Sequence, residues 1–170
     1  MPPTVIVLMG PAGAGKSSVG RSLADSLGWR FTDADAFHSP VNLERLARGE
    51  ALLDADRAPW LAALGREIAT AIAREQPMVL ACSALRRVYR QAILPAEGAG
   101  QRVRVVYLRV SAAELARRLQ SRVGHFAPVE LLQSQLETLE EPVPDEGVLT
   151  LDGEQSVQDL VQQIRRSCGV

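Results

Sequence analysis

The chain has 170 residues, enough for one domain with a sizeable core, and its 46% apolar and 23% charged residues are ordinary for a soluble globular protein. A net charge of −1 gives no basic footprint for nucleic acid, and no apolar run approaches the roughly 18 residues of a membrane span. Met1-Pro2-Pro3-Thr4 lacks the charged start of a signal peptide, and Cys82 and Cys168 have no metal-like spacing, so a reducing cytoplasm is the expected setting.

In chain order, the apolar run Val5–Met9 reads as a strand and Ser17–Leu27 as the helix after it. Between them Gly10, Pro11, Ala12, Gly13, Ala14, Gly15, Lys16 and Ser17 fit G-x-x-x-x-G-K-[ST], the loop that cradles phosphates. Glycines let successive N–H groups point inward, and the helix start adds its positive dipole end. Lys16 would reach the β- and γ-phosphates of a nucleotide, and Ser17, rather than the adjacent Ser18, would ligate Mg²⁺. Of 19 basic residues Lys16 is the only lysine, kept where a compact ammonium must fit among phosphates.

Further strands are expected at Trp29–Thr32, Met78–Ala81, Val103–Leu108 and Val148–Leu151. Helices are expected at Pro40–Arg48, Pro59–Arg74, Arg86–Leu94, Ala112–Arg122, Pro128–Leu139 and Ser156–Ser167. Apolar strands separated by helices imply an α/β fold, with a parallel sheet covered on both faces. Ligands of such sheets bind beyond the carboxyl ends of the strands, so chemistry is sought there.

After the second strand, Asp33 and Asp35 leave the strand end two residues apart. Extended chain would point both carboxylates the same way, one toward Mg²⁺ and the other toward a substrate hydroxyl proton. The plainer alternative is a capping turn made by Asp35, with Asp33 solvated. His38 alone suits a structural hydrogen bond as well as a ligand. Arg45 and Arg48 read as a solvated face, and Gly49 as a helix stop. Asp56 suits a cap, Pro59 a first helical turn, and Arg57 a planar clamp for a carboxylate or phosphate.

Ser83 stands at the third strand end, where many ATPases carry an aspartate, which argues against a motor or AAA-type ATPase. Arg86 and Arg90, four apart, can face one anion together or pair on a wet surface. Ser111 and Glu114 read as a capping box. Arg117, Arg118 and Arg122 lead into Gly124 and His125, the pattern of a lid over about residues 118–138 that carries guanidinium charge to a transferring phosphoryl and expels water. A helix–turn–helix with exposed arginines is the alternative. Asp152–Ser156 is a reasonable place for an adenine contact.

Taken together the chain resembles the gluconokinases, a family of small P-loop kinases. The resemblance rests on the loop Gly10–Ser17, on Asp33-Ala34-Asp35 with His38 and Asn42, and on the run Gly49–Leu61, with its Asp56-Arg57-Ala58-Pro59-Trp60-Leu61. It continues through Cys82–Arg90, Gly124-His125-Phe126 and Ser134–Pro142, nearly the whole chain. Ala34, Leu46, Ala51, Arg45 and Arg86 depart mildly from the usual family residues.

The resemblance implies a single three-layer P-loop kinase domain over 1–170, with a five-stranded parallel sheet, a substrate-binding segment at about 38–60 and a helical lid. It implies transfer of the ATP γ-phosphoryl to the 6-hydroxyl of D-gluconate, with Mg²⁺, in a cytoplasmic homodimer without nucleic acid or membrane partners. By position, Gly10 to Ser18 and Arg118 would hold the nucleotide, and Ser17 and Asp33 the metal. Lys16, Asp35 and Arg122 would be catalytic. Asp35, His38, Arg57, Arg90 and His125 would meet gluconate or the transferring phosphate. Two other readings stay open: a kinase of another small hydroxy acid, such as a shikimate-like enzyme, or a non-catalytic nucleotide switch. The guanine motif of a GTPase needs a second lysine, which the chain lacks.

Overall fold

The computed structural model describes residues 1–95, 101–121 and 129–170. Five parallel strands, β1 (Val5–Met9), β2 (Arg30–Asp33), β3 (Met78–Ala81), β4 (Val103–Arg109) and β5 (Leu149–Asp152), form one sheet in the order β2-β3-β1-β4-β5. The helices are α1 (Lys16–Leu27), α2 (Pro40–Ala47), α3 (Asp54–Ala73), α4 (Arg87–Ile93), α5 (Ala112–Ser121), α6 (Val129–Thr138) and α7 (Val157–Cys168). Short 3₁₀ turns occupy Ala34–Phe37 and Pro144–Glu146. The strands fall within about a residue of their expected places, the usual uncertainty of element ends.

β1 is central and wholly buried because both its faces are covered. Val5, Val7 and Met9 pack into one core with Trp60, Leu64 and Ile68 of α3 and Tyr89 and Ile93 of α4. Ile6 and Leu8 pack into the other with Val19 and Leu23 of α1, Leu115 of α5 and Leu160 and Ile164 of α7. The alternation of side chains along the strand makes the three layers. Among the described residues no helix is long and apolar enough to cross a membrane.

α3 begins five residues earlier than expected. Leu53 is its N-cap residue, and the Asp56 carboxylate accepts the Leu53 N–H at 2.8 Å, so Asp56 closes the first turn from inside the helix. Pro59 consequently lies within the helix. At the start of α5, Ser111 Oγ accepts from the Glu114 N–H at 3.3 Å, but the Ser111 N–H donates to Glu154 at 3.0 Å. Only half of the expected capping box forms, because the Glu114 carboxylate binds Arg117 and Arg118 instead.

Gly153 fixes how the turn after β5 sits on β4. Its N–H donates to the Arg109 carbonyl at 2.8 Å, and an added Cβ would lie 2.6 Å from Val110 Cγ2 and 3.2 Å from the Arg109 oxygen. Two of the three close atoms are backbone, which does not yield. Gly153→Ala is therefore expected to destabilise the fold by about 1–3 kcal/mol, the scale of an overpacked core. The midpoint of urea unfolding checks it.

Candidate active site

The loop Gly10–Ser17 lies at the carboxyl end of β1. Gly10, Gly13 and Gly15 have φ of 149°, 86° and 94°, conformations that side chains rarely adopt. A Cβ at Gly10 would stand 2.9 Å from Ala14 Cβ and 3.2 Å from the Leu108 oxygen. The loop is thus packed tightly behind and open in front, and the α1 N-terminus faces the same opening. That is the shape an anionic phosphate requires. Lys16 Nζ donates to the Pro11 carbonyl at 2.9 Å.

In front of the loop is a cleft of about 320 Å³. Lys16, Ser17, Asp33, Asp35, His38 and Arg57 all line it, with Trp60, Ser83, Leu85 and Tyr89. α6 closes one side with Leu131, Ser134, Gln135 and Thr138, spaced to share one helical face. Gln135 Oε1 accepts the Ala12 N–H at 2.7 Å, so this helix is fastened directly to the phosphate loop.

Asp33 and Asp35 divide their work differently from the simplest expectation. Asp33 accepts the Asp35 N–H at 3.0 Å and caps the 3₁₀ turn. Asp35 borders the cleft and keeps part of its surface open to solvent. Burial, and then the charge of Asp33, push its pKa above the ordinary carboxylate value, while Lys16 pulls it down. Trp60 fixes this turn by donating Nε1–H to the Ala34 carbonyl at 2.7 Å. His38 stacks on the same indole, with ring centroids 4.3 Å apart and planes 10° from parallel. Burial and the Arg57 charge lower the His38 pKa, keeping the ring neutral at neutral pH. Its Nδ1 is buried without a hydrogen-bond partner among the described residues.

Arg57 Nη1 donates to the Tyr89 hydroxyl at 3.0 Å, and that hydroxyl donates to Asp54. Arg86 reaches the same Asp54 at 3.0 Å and lies over the Tyr89 ring. Arg57 therefore enters the cleft as a braced cation, with fork donors left for an anion.

Arg90 lies elsewhere. Its side chain is 2% exposed, and its fork bonds Glu146 at 2.6 and 2.9 Å. Its Nη1 donates to the carbonyls of Ala84 and Leu85 at 3.0 and 3.2 Å. Arg86 and Arg90 therefore share no anion: the first faces Asp54 and Glu140 on the surface, the second is consumed inside. Two residues four apart are split this way when one caps a short helix and the other is buried within it, which spacing alone does not reveal.

A second groove of about 250 Å³ opens behind the phosphate loop, between Gly13, Gly15, Ser18, Arg118, Gly153 and Gln155. Arg118 bonds the carbonyls of Gly13 at 3.2 Å and Gly153 at 2.9 Å, and its Nε reaches Glu114 at 2.8 Å. The Arg118 of the expected lid is thus seated between the phosphate loop and the turn after β5. Arg122 and His125 lie outside the described residues, as does Gly124, the expected hinge. Among the described residues no three His, Cys, Asp or Glu side chains converge on a metal-sized point. Mg²⁺ does not demand such a cage, because it keeps several waters and takes one or two protein oxygens with the substrate phosphates. Ser17 and Asp33 both border the cleft and are hard oxygen donors suited to it.

Trp60, Tyr89, Ser134, Gln135 and Thr138 were not legible as site residues from local pattern. Only the family-like runs Gly49–Leu61, Cys82–Arg90 and Ser134–Pro142 mark them.

A family model described as an AAA domain matches residues 5–142. The match names a domain family and not a motor activity, so it leaves the expectation drawn from Ser83 as it stands. A gluconokinase from Gluconobacter oxydans is 42% identical over 96% of this chain and 90% of its own length. The crystal structure of a gluconokinase from Sinorhizobium meliloti is 40% identical, covers 98% of this chain and 94% of its own, and superposes with a TM-score of 0.85. The unliganded structure of a sugar kinase from Janibacter is 37% identical over 97% of this chain and 94% of its own, with a TM-score of 0.88.

Proposed function

This chain belongs to the gluconokinase family, and we propose that the cleft around Lys16 and Asp35 is where it phosphorylates gluconate with ATP. The observation that carries this reading is the convergence in one cleft of a phosphate loop, a carboxylate with a raised pKa and a braced arginine. Donor, base and acceptor anchor are the parts a transfer to a hydroxy acid needs.

The loop N–H groups and Lys16 hold the donor phosphates and take up the charge that develops on them. The base end of ATP lies toward Arg118, Gly153 and Gln155. Ser17 and Asp33 would hold Mg²⁺, which supplies further neutralisation of phosphate charge when bound. Asp35 orients the gluconate 6-hydroxyl and accepts its proton as that oxygen bonds the γ-phosphorus. The bond to the bridging oxygen breaks and ADP leaves. Gluconate is a polyol with one carboxylate, and Arg57 meets that carboxylate through its fork. The neutral His38 ring and the Ser83 hydroxyl line the middle, where the polyol hydroxyls lie. Closure by Arg122 and His125 remains the role the family resemblance implies, as do Mg²⁺ dependence and a cytoplasmic homodimer. Chelation by EDTA and light scattering read the last two properties of the purified protein directly.

The test is ADP release coupled to NADH loss across a panel of acceptors, with the product identified by ³¹P NMR. Gluconate is expected to give the strongest response and a 6-phosphate monoester. A stronger response to shikimate or a nucleoside monophosphate would overturn the substrate, and ATP turnover indifferent to every acceptor would overturn the kinase reading. Arg57→Ala is expected to raise the gluconate KM about 10- to 100-fold, the loss of a charge-assisted hydrogen bond worth about 1.5–3 kcal/mol, with little change in ATP affinity. Steady-state kinetics in both substrates check it.

A further inference from the structure

Ala84 has φ of +45°, the left-handed conformation, in a buried residue with a Cβ. Its neighbours on both sides, Ser83 and Leu85, line the acceptor cleft. The Ser83 carbonyl accepts the N–H of Gly10, the first glycine of the phosphate loop, at 3.3 Å. One strained turn therefore forms part of the acceptor wall and touches the donor loop.

Such a conformation persists only where its surroundings over-determine it. The surroundings here are Arg90. Its Nη1 binds two successive carbonyls, those of Ala84 and Leu85, and its Nε and Nη2 are locked by the two Glu146 oxygens. The Glu140 N–H adds a bond to the Leu85 carbonyl at 2.8 Å. Stability alone accounts poorly for this arrangement, since a buried ion pair is often replaced by apolar residues at no loss. A guanidinium that turns back onto two carbonyls does something an apolar pair does not: it fixes their direction.

We propose that Arg90, held by Glu146, is a positioning residue that keeps the Ser83–Ala84–Leu85 turn in its left-handed form and so sets the acceptor wall against the phosphate loop. Arg90 touches neither substrate. The inference rests on the reading of this cleft as the gluconate site.

The experiment compares wild type with the double variant Arg90→Met/Glu146→Met, which removes both buried charges, and with Arg90→Lys, whose single ammonium cannot hold carboxylate and carbonyls together. Gluconate KM and kcat, the Kd of a nonhydrolysable ATP analogue and the melting temperature are measured for each. Gluconate KM is expected to rise about tenfold while the analogue Kd stays within about twofold. Ala84→Gly, added to the double variant, is expected to recover part of that rise, because glycine takes positive φ without the clamp. A merely structural pair predicts no such recovery in KM, the change at Ala84 then showing in the melting temperature alone.

A folded double variant with wild-type gluconate KM overturns the proposal, as does a KM rise matched by lost analogue affinity and a lowered melting temperature, or one that Ala84→Gly fails to lower. Where the double variant does not fold, Arg90→Lys is judged by the same criteria. Absence of gluconate turnover in wild type sinks the reading of the cleft, and this inference with it. Wild-type turnover with unmoved variants sinks this inference alone.

Discussion

Lys16→Ala is expected to fold normally and to lose about a thousandfold or more in kcat, the upper range for deleting one preorganised stabiliser of developing charge. Lys16 begins α1 and lies half-buried at the cleft floor, with its ammonium held at 2.9 Å from the Pro11 carbonyl. The charge is therefore in place before phosphate arrives. Lys16→Arg is the more informative companion. It keeps the charge but spreads it over a planar fork, which the narrow loop does not accommodate. The chain uses arginine at its other 18 basic positions, so the exception is chemical rather than compositional. Single-turnover ADP formation with saturating gluconate is the measurement. Retention of a tenth of wild-type rate or more by Lys16→Ala would show that the loop amides carry the charge without it.

Asp35→Asn is expected to lower kcat by about 10²–10⁴-fold, the usual contribution of a positioned general base, while sparing ATP binding. Near-normal turnover would remove Asp35 as the base. The pH dependence has a definite sign. A base must be ionised to act, so the rate falls as pH drops through the Asp35 pKa. That pKa is raised by burial and by Asp33, so the acid limb lies above the ordinary aspartate range. Stability runs the other way. A carboxyl whose pKa is raised by folding stabilises the fold in its protonated form, and that contribution is lost as pH rises through the folded value. At neutral pH Asp35→Asn is therefore expected to melt higher than wild type, although it barely turns over. A melting series against pH checks this: the gap between the two proteins should close on acidification.

The strand–loop–helix at the start of the chain was fully legible because its signals are local: five apolar residues, glycines at fixed offsets, one lysine. The carboxylate pair was legible as a pair, since both residues leave one strand end. Which of the two caps the turn was not, because that depends on Trp60, 26 residues away, holding the Ala34 carbonyl. Arg57 was found by its neighbourhood, yet its brace Tyr89 lies 32 residues further on another helix. Gln135 meets Ala12 across 123 residues, a distance no periodicity spans. Arg90 marks the opposite limit. An arginine on a helix after a catalytic strand invites a ligand, and only the fold discloses that Glu146 takes its fork.

The sheet order carries a consequence for how the protein is made. β1 leaves the ribosome before both of its neighbours, β3 and β4, and the second of these ends at Arg109, about 100 residues behind it. At translation rates of about 5–20 residues per second, that gap lasts about 5–20 s. Throughout it, Val5-Ile6-Val7-Leu8-Met9, with no polar side chain among them, lacks the strands that will flank it. The segment that carries the phosphate loop thus waits longer for its flanking strands than either other interior strand of the sheet, and slow codons placed between β1 and β4 would lengthen that wait.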